Sequence, residues 1–240
     1  MIHAQLAQFA GLISLVALIA GCATPVSVPQ APPEKILYAF PSQAFQVRAP
    51  VVSWREAQRS NIVMQRLDYS CGSAALATLL RYYFEDDVSE TTILKVIFDR
   101  LAKAENPQEE VRDRVANGFS MLDLLNAAKD MNYLGAVVRI PISKLAESKA
   151  PVIVRIVKFE YKHFVVVRGI HDDTVYLADP IRGNIRISIQ EFMDQWSGES
   201  LFLGKAGFGL PEDHPLAISK VGPARPELDL ARQALYPIVP

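Results

Sequence analysis

The stretch Met64-Gln-Arg-Leu-Asp-Tyr-Ser-Cys71-Gly-Ser-Ala-Ala-Leu-Ala-Thr-Leu-Leu-Arg-Tyr-Tyr83 decides how this chain is read. It is an irregular turn followed at once by a helix. Leu76, Leu79, Leu80 and Tyr83 recur on one helical face. Ser70 is placed to cap that helix, which puts Cys71 and Gly72 in its first turn. A thiol there sits among free backbone N–H groups at the positive end of the helix dipole, which favours the nucleophilic thiolate. Gly72 is read as keeping the approach open, with Ala74 and Ala75 leaving room behind it. Gln65 lies close enough upstream to aim an amide N–H at a developing oxyanion. By itself, a lone Cys opening an amphipathic helix is a small, buried, inert residue. The chemical reading requires a base and an orienting acid further along.

Four histidines can be considered. His3 lies in the apolar N-terminal segment, His214 near the C-terminus between Asp213 and Pro215, and His171 in a polar turn. His163 differs, because it opens the run His163-Phe-Val-Val-Val167, a strong β-former context. The plain alternative is a strand-edge imidazole facing water. The next β-type run ends Val175-Tyr-Leu-Ala-Asp179-Pro180, and an Asp fixed in extended geometry by the following Pro can accept from an imidazole. Its plain alternative is a strand-ending Asp-Pro turn. Side chains alternate faces, so His163 and Asp179 share a face only if the hairpin loop is odd or a strand carries a bulge. A three-residue loop His171-Asp172-Asp173 meets this condition; a two-residue loop alone does not.

Around these residues the pattern is helices first, then strands. Ser89 caps a helix with Ile93, Val96, Ile97 and Leu101 on its apolar face, and Ser120 caps another with Leu122, Leu125 and Ala128 inward. Residues 106–118 are highly charged, as a solvated helix or a loop. From Gly135 the period changes. Residues 136–140, 151–157, 163–170, 174–178 and 185–189 read as strands, with a helical turn over 143–147 between the first two. A final short helix carries Phe192 and Trp196 and ends at Ser197-Gly198. This is an α+β layout, helices packed on an antiparallel sheet.

The 240 residues, half of them hydrophobic with a net charge of −1, suffice for one sizeable domain with flanking segments. No basic run suggests nucleic acid, and no motif for a metal, nucleotide or redox cofactor occurs. The apolar run Leu6 to Ala20 has the length of a signal-peptide core. It ends Ile19-Ala20-Gly21-Cys22, which resembles a bacterial lipobox, although no Lys or Arg precedes it. Cleavage near Ala23 and an uncleaved anchor are the alternatives. Domain organisation follows: 1–22 signal with lipobox, 23–50 a proline-rich tether, 51–206 the domain, and 207–240 a proline-rich tail with a helical candidate over 227–235. Cys22 and Cys71 each have a separate explanation, so no disulfide between them is expected.

Cys71 at a helix start, Gln65 upstream, and His163 and Asp179 on adjacent strands make up the set that a cysteine peptidase needs. The pieces Gln65…Asp68-Tyr-Ser-Cys71-Gly-Ser-Ala-Ala-Leu76, Lys162-His163-Phe-Val-Val-Val167, Val175-Tyr-Leu-Ala-Asp179-Pro180 and Ile187-Ser-Ile-Gln-Glu-Phe192…Trp196-Ser-Gly198 resemble the peptidase C39 family. These are papain-like cysteine peptidases known for removing double-glycine leaders from bacteriocins. The resemblance runs from about Val63 to Leu203. It implies Cys71 as nucleophile, His163 as base, Asp179 as orienting acid and Gln65 as oxyanion donor, with no cofactor. Many members carry Asp directly before the Cys, where this chain has Ser70.

The implied function is cleavage of an exported protein or peptide after small residues such as Gly-Gly. The alternatives are a non-catalytic peptide-binding or assembly component and a hydrolase of cell-wall peptides. Expected partners are the exported substrate, components of a secretion or functional-amyloid system, and the membrane through a lipid on Cys22. The expected location is the periplasm, anchored to the outer membrane. Labelled fatty acid should therefore enter the wild-type protein and be lost in Cys22→Ser; equal labelling of the two contradicts the lipobox.

Overall fold

The computed structural model describes residues 53–159 and 161–218. The signal, the lipobox with Cys22, the tether and the 227–235 helical candidate lie outside the described residues. Five helices come first: α1 (Trp54–Arg59), α2 (Cys71–Tyr82), α3 (Glu90–Leu101), α4 (Pro107–Asn117) and α5 (Met121–Asp130). Then follow β1 (Leu134–Arg139), α6 (Ile142–Ala146), β2 (Val152–Lys158), β3 (Tyr161–His171), β4 (Thr174–Asp179), β5 (Gly183–Ser188), α7 (Ile189–Gln195) and β6 (Trp196–Gly204). The strands form one sheet in the order β1-β6-β2-β3-β4-β5, every neighbouring pair antiparallel. The α+β architecture is the one the sequence pattern implies, with a helical layer on an antiparallel sheet.

Local chemistry sets the helix ends. Ser89 accepts from Thr92 N–H at the start of α3, and Ser120 and Asp123 form a reciprocal capping box at the start of α5. The charged 106–118 stretch is a helix, opened by Pro107 and closed by Gly118 at φ 76°. Residues Cys71 to Leu80 are all buried, so α2 is enclosed on every side rather than amphipathic at a surface. One core joins α2, α3 and α5 to Phe164, Val166 and Ala178 of the sheet. A second lies on the other face, where Leu145 and Phe192 cover Val165, Val167, Val175 and Leu177. Alternate residues of β3 thus feed two cores, which is why the strand reads as an unbroken Val run.

Three expectations are corrected. Leu122 is not inward but 59% exposed; Leu124 takes the core position in α5. Trp196 does not belong to the last helix, and Ser197-Gly198 is not a stop. Trp196 begins β6, which inserts between β1 and β2. Gly72 opens no path to the thiol. A Cβ there would lie 3.0 Å from Leu124 Cδ2 and 3.2 Å from Phe164 Cδ2, so the glycine lets α2 close onto α5 and β3.

The described part of the tail is fastened to the body. Phe208 packs edge-on against Tyr83 and Phe84, and the His214 ring meets Tyr83 at 4.7 Å. Leu216 is fully buried, and Arg168 donates to the carbonyls of Leu216 and Ala217. A Leu216→Ala variant should lose about 2–5 kcal/mol of stability, the usual cost of emptying a buried leucine site. Denaturant unfolding checks this; an unchanged midpoint would show that this segment adds nothing to the body.

Candidate active site

The thiol is placed by the start of α2. Ser70 stands at the N-cap position, but its hydroxyl does not cap the helix; it turns to Glu90 Oε1 at 2.5 Å. The first N–H satisfied by the helical pattern is that of Ala74, on Ser70 C=O at 3.0 Å. The N–H groups ahead of it, those of Cys71, Gly72 and Ser73, therefore have no acceptor within the helix. Cys71 is a free thiol, 5% exposed.

His163 and Asp179 come from the hairpin of β3 and β4. Its loop is the two-residue Asp172-Asp173, with His171 paired to Thr174. The register slips by one between Val167 and Gly169, where Arg168 is the extra residue of a β-bulge. Beyond it Val167 pairs with Leu177 and Val166 with Ala178. Continuing that register sets Asp179 opposite Val165, and His163 diagonal to it on the same face. The bulge, not an odd loop, is thus what brings the imidazole and the carboxylate together.

The contacts are specific. His163 Nε2 lies 2.9 Å from Asp179 Oδ1. The same oxygen accepts from the N–H groups of Ile181 at 2.8 Å and Arg182 at 3.1 Å, and Oδ2 accepts from Arg182 Nε at 2.6 Å. Asp179 is fully buried and every contact stabilises its anion. Gly183 follows at φ 83°; a Cβ there would fall 2.5 Å from the Gln58 carbonyl, so glycine lets α1 close over this turn. His163 Nδ1 is buried without a hydrogen-bond partner, and Cys71 is near enough to the ring to raise its pKa.

Burial would draw the His163 imidazole down. The hydrogen bond and charge of Asp179, joined by Cys71, instead push it up to about 9. Burial would likewise raise the Asp179 carboxyl, but His163, Arg182 and the Ile181 N–H hold it well below the usual carboxylate range. Tyr161 stacks on His163, with centroids 6.0 Å apart and planes 26° from parallel. Its hydroxyl is raised by burial and then by Cys71, Asp68 and Asp179.

Gln65 is held near the same point by both halves of the fold. Its backbone N–H donates to Pro180 C=O at 2.9 Å, directly after Asp179. Its side-chain Nε2 donates to Leu67 C=O at 3.0 Å, in the turn that leads to Cys71. The structure thus gathers Cys71, His163, Asp179 and Gln65. Three further residues escaped sequence reasoning. Tyr161, two before His163 on the same strand face, and Arg182, three after Asp179, carried positional signals. Glu90 looked like an ordinary first-turn acid.

A helical layer on an antiparallel sheet, with a thiol at a helix start facing a buried His–Asp pair, defines a cysteine peptidase of papain-like architecture. The chain belongs to the peptidase C39 family, whose model matches residues 59–207. It is 38% identical over 148 residues to a protein of Pseudomonas fluorescens described as a probable functional amyloid protease, FapD. The match covers 62% of each chain, and so less than two thirds of that relative. The protein of the same description from Pseudomonas aeruginosa is 34% identical over 166 residues, 69% of each chain. Among solved structures, the peptidase domain of Streptococcus ComA, a bi-functional ABC transporter, aligns with a TM-score of 0.49 at 21% identity. That alignment covers 60% of this chain and 97% of the other.

The raised His163 pKa fixes the sign of a pH effect. A protonated His163 stabilises the fold fully below its ordinary value of 6.5, and the contribution disappears as pH rises through about 9. The gap in thermal midpoint between wild type and His163→Ala should therefore narrow across that interval. A gap that widens with pH contradicts the assignment.

Proposed function

We propose that this chain cleaves an exported protein or peptide after small residues, Gly-Gly above all, with Cys71, His163, Asp179 and Gln65 as the working groups. The observation that carries the reading is the buried His163, hydrogen-bonded to Asp179 and close enough to Cys71 for the thiol to raise its pKa. In the first step the sulfur, its proton already held on His163 Nδ1, bonds to the scissile carbonyl carbon. The oxyanion is stabilised by Gln65 Nε2–H and a first-turn backbone N–H. Collapse breaks the C–N bond, and the Nδ1 proton goes to the leaving amine. Water then gives a proton to His163 while its oxygen attacks the thioester. Release of the carboxylic acid leaves that proton on His163. Asp179 keeps the imidazole oriented and stabilises its charged form throughout.

Small residues before the scissile bond suit this site, because Cys71 and His163 are both almost covered and Tyr161 lies against His163. A carbonyl flanked by Cβ atoms would meet that cover. Beside the site is a cavity of about 450 Å³ lined by Met64, Gln65, Asp68, Tyr161, Pro180 and Ile181, with Arg59 at its margin. It adjoins Gln65 and Tyr161, the ring stacked on His163, the group that protonates the leaving amine in this reading. The residues after the cut are therefore assigned to it. The substrate is assigned to a functional-amyloid system on the description of the Pseudomonas relatives. Location in the periplasm, with a lipid on Cys22, is proposed from the signal-like segment.

The test is a peptide panel differing only at the two positions before the bond. Gly-Gly should be cleaved far faster than Leu-Gly, and Cys71→Ala and His163→Ala should each abolish turnover while retaining the fold. Gln65→Ala should lose on the order of 10²–10³ in rate, since a backbone donor remains. Equal rates across the panel refute the specificity, and wild-type turnover in Cys71→Ala refutes the peptidase. Tight peptide binding with no cleavage by the wild-type protein would show a binding module instead.

A further inference from the structure

Glu90 is the first residue of α3 and only 5% exposed. Acids in first turns are stabilised by the helix dipole at the surface and need no burial for that. Glu56, Glu109 and Glu191, in the first turns of α1, α4 and α7, are all exposed. A carboxyl group taken out of water costs free energy unless it has partners. Glu90 has two, both outside its own helix. Its Oε1 accepts from Arg66 N–H at 3.0 Å and from the Ser70 hydroxyl at 2.5 Å.

Those partners are the two ends of the turn between Gln65 and Cys71. Inside the turn, Ser70 Oγ accepts from Leu67 N–H at 3.1 Å, and its single proton is shared between Glu90 Oε1 and Leu67 C=O, the latter at 2.8 Å. Leu67 C=O accepts from Ser70 N–H at 3.1 Å and from Gln65 Nε2 at 3.0 Å. Gln65 Oε1 is buried without a partner, so the orientation of the amide rests on its bond to Leu67 C=O. The position of that carbonyl is set by Ser70, and Ser70 and Arg66 are tied to Glu90.

We propose that Glu90 is a positioning residue for the oxyanion donor: its carboxylate clamps the Arg66–Ser70 turn and thereby fixes the Gln65 amide relative to Cys71. The assignment rests on the roles of Cys71 and Gln65 given above. It separates two properties of the site. Attack of the thiol on an alkyl halide needs no oxyanion donor, whereas acylation by an ester does.

The experiment uses the full chain, iodoacetamide as the alkylating probe, and the acylation burst with benzyloxycarbonyl-Gly-Gly p-nitrophenyl ester. Glu90→Ala should slow acylation about 10- to 100-fold, the scale of a misplaced reacting group. The rate and pH profile of Cys71 alkylation should stay as in wild type. Glu90→Gln should restore most of the acylation rate, because its amide oxygen still accepts from Arg66 N–H and the Ser70 hydroxyl. In a Gln65→Ala background, Glu90→Ala should add little, since the two act on one interaction. If Glu90→Ala does not fold, Ser70→Ala carries the same test, with acylation slowed and alkylation spared. Equal losses of alkylation and acylation overturn the proposal, as does an undiminished Glu90→Ala loss in the Gln65→Ala background. Wild-type acylation in Gln65→Ala would instead remove the oxyanion role itself, and the Glu90 assignment with it.

Discussion

The structure turns on one extra residue in β3. Arg168 bulges out of the ladder, and the register on either side of it differs by one. A sheet has only two faces, so a slip of one exchanges them for every residue beyond the slip. Without the bulge, the two-residue loop would put Asp179 and His163 on opposite faces. The bulge is itself held from several directions. The Arg168 guanidinium donates to the carbonyls of Leu216 and Ala217 and to Asn184 Oδ1 on β5. Asn184 in turn donates to Ser60 C=O, at the end of α1. The irregularity that aligns the site is thus tied to both ends of the described chain.

Two charged groups, Asp179 fully buried and Arg168 half-buried, are handled in different ways. Asp179 is surrounded by donors and a cation, so its anion is the favoured form. Arg168 is compensated by carbonyl and amide oxygens rather than a carboxylate, and burial lowers its pKa. The difference fits their tasks. A carboxylate spent on Arg168 would add a negative charge to the strand that carries His163. Neutral acceptors satisfy the guanidinium while the field at the imidazole is left to Asp179.

Much of this was legible because the signals were local. Ser89 and Ser120 announced α3 and α5 through cap chemistry, and the Val run announced β3. Cys71, His163 and Asp179 stood out because each residue type sat in a context that did not otherwise call for it. What stayed hidden was non-local. Nothing near Trp196 reveals that residues 196–204 cross between β1 and β2. Ser197-Gly198 imitates a helix stop, yet Gly198, at φ 93°, sits where a Cβ would strike Arg139 and the Ile140 carbonyl. Leu122 and Leu124 satisfy helical spacing comparably, and only the docking angle of α5 chooses between them. A bulge and an odd loop solve the same parity condition, so the condition was readable and its solution was not. Ser70 has the ordinary signature of a cap; its hydroxyl is drawn away by Glu90, twenty residues further on.

The chemistry is divided between two parts of the chain made at different times. Gln65 and Cys71 lie within one turn and belong to the helical layer, while His163 and Asp179 belong to a hairpin in the sheet. They meet only because Phe164, Val166 and Ala178 pack against the underside of the helical layer. During synthesis the thiol therefore emerges well before His163 and Asp179. Until the hairpin has formed and docked, Cys71 stands without His163 and Asp179 beside it, so the constellation exists only in the folded chain.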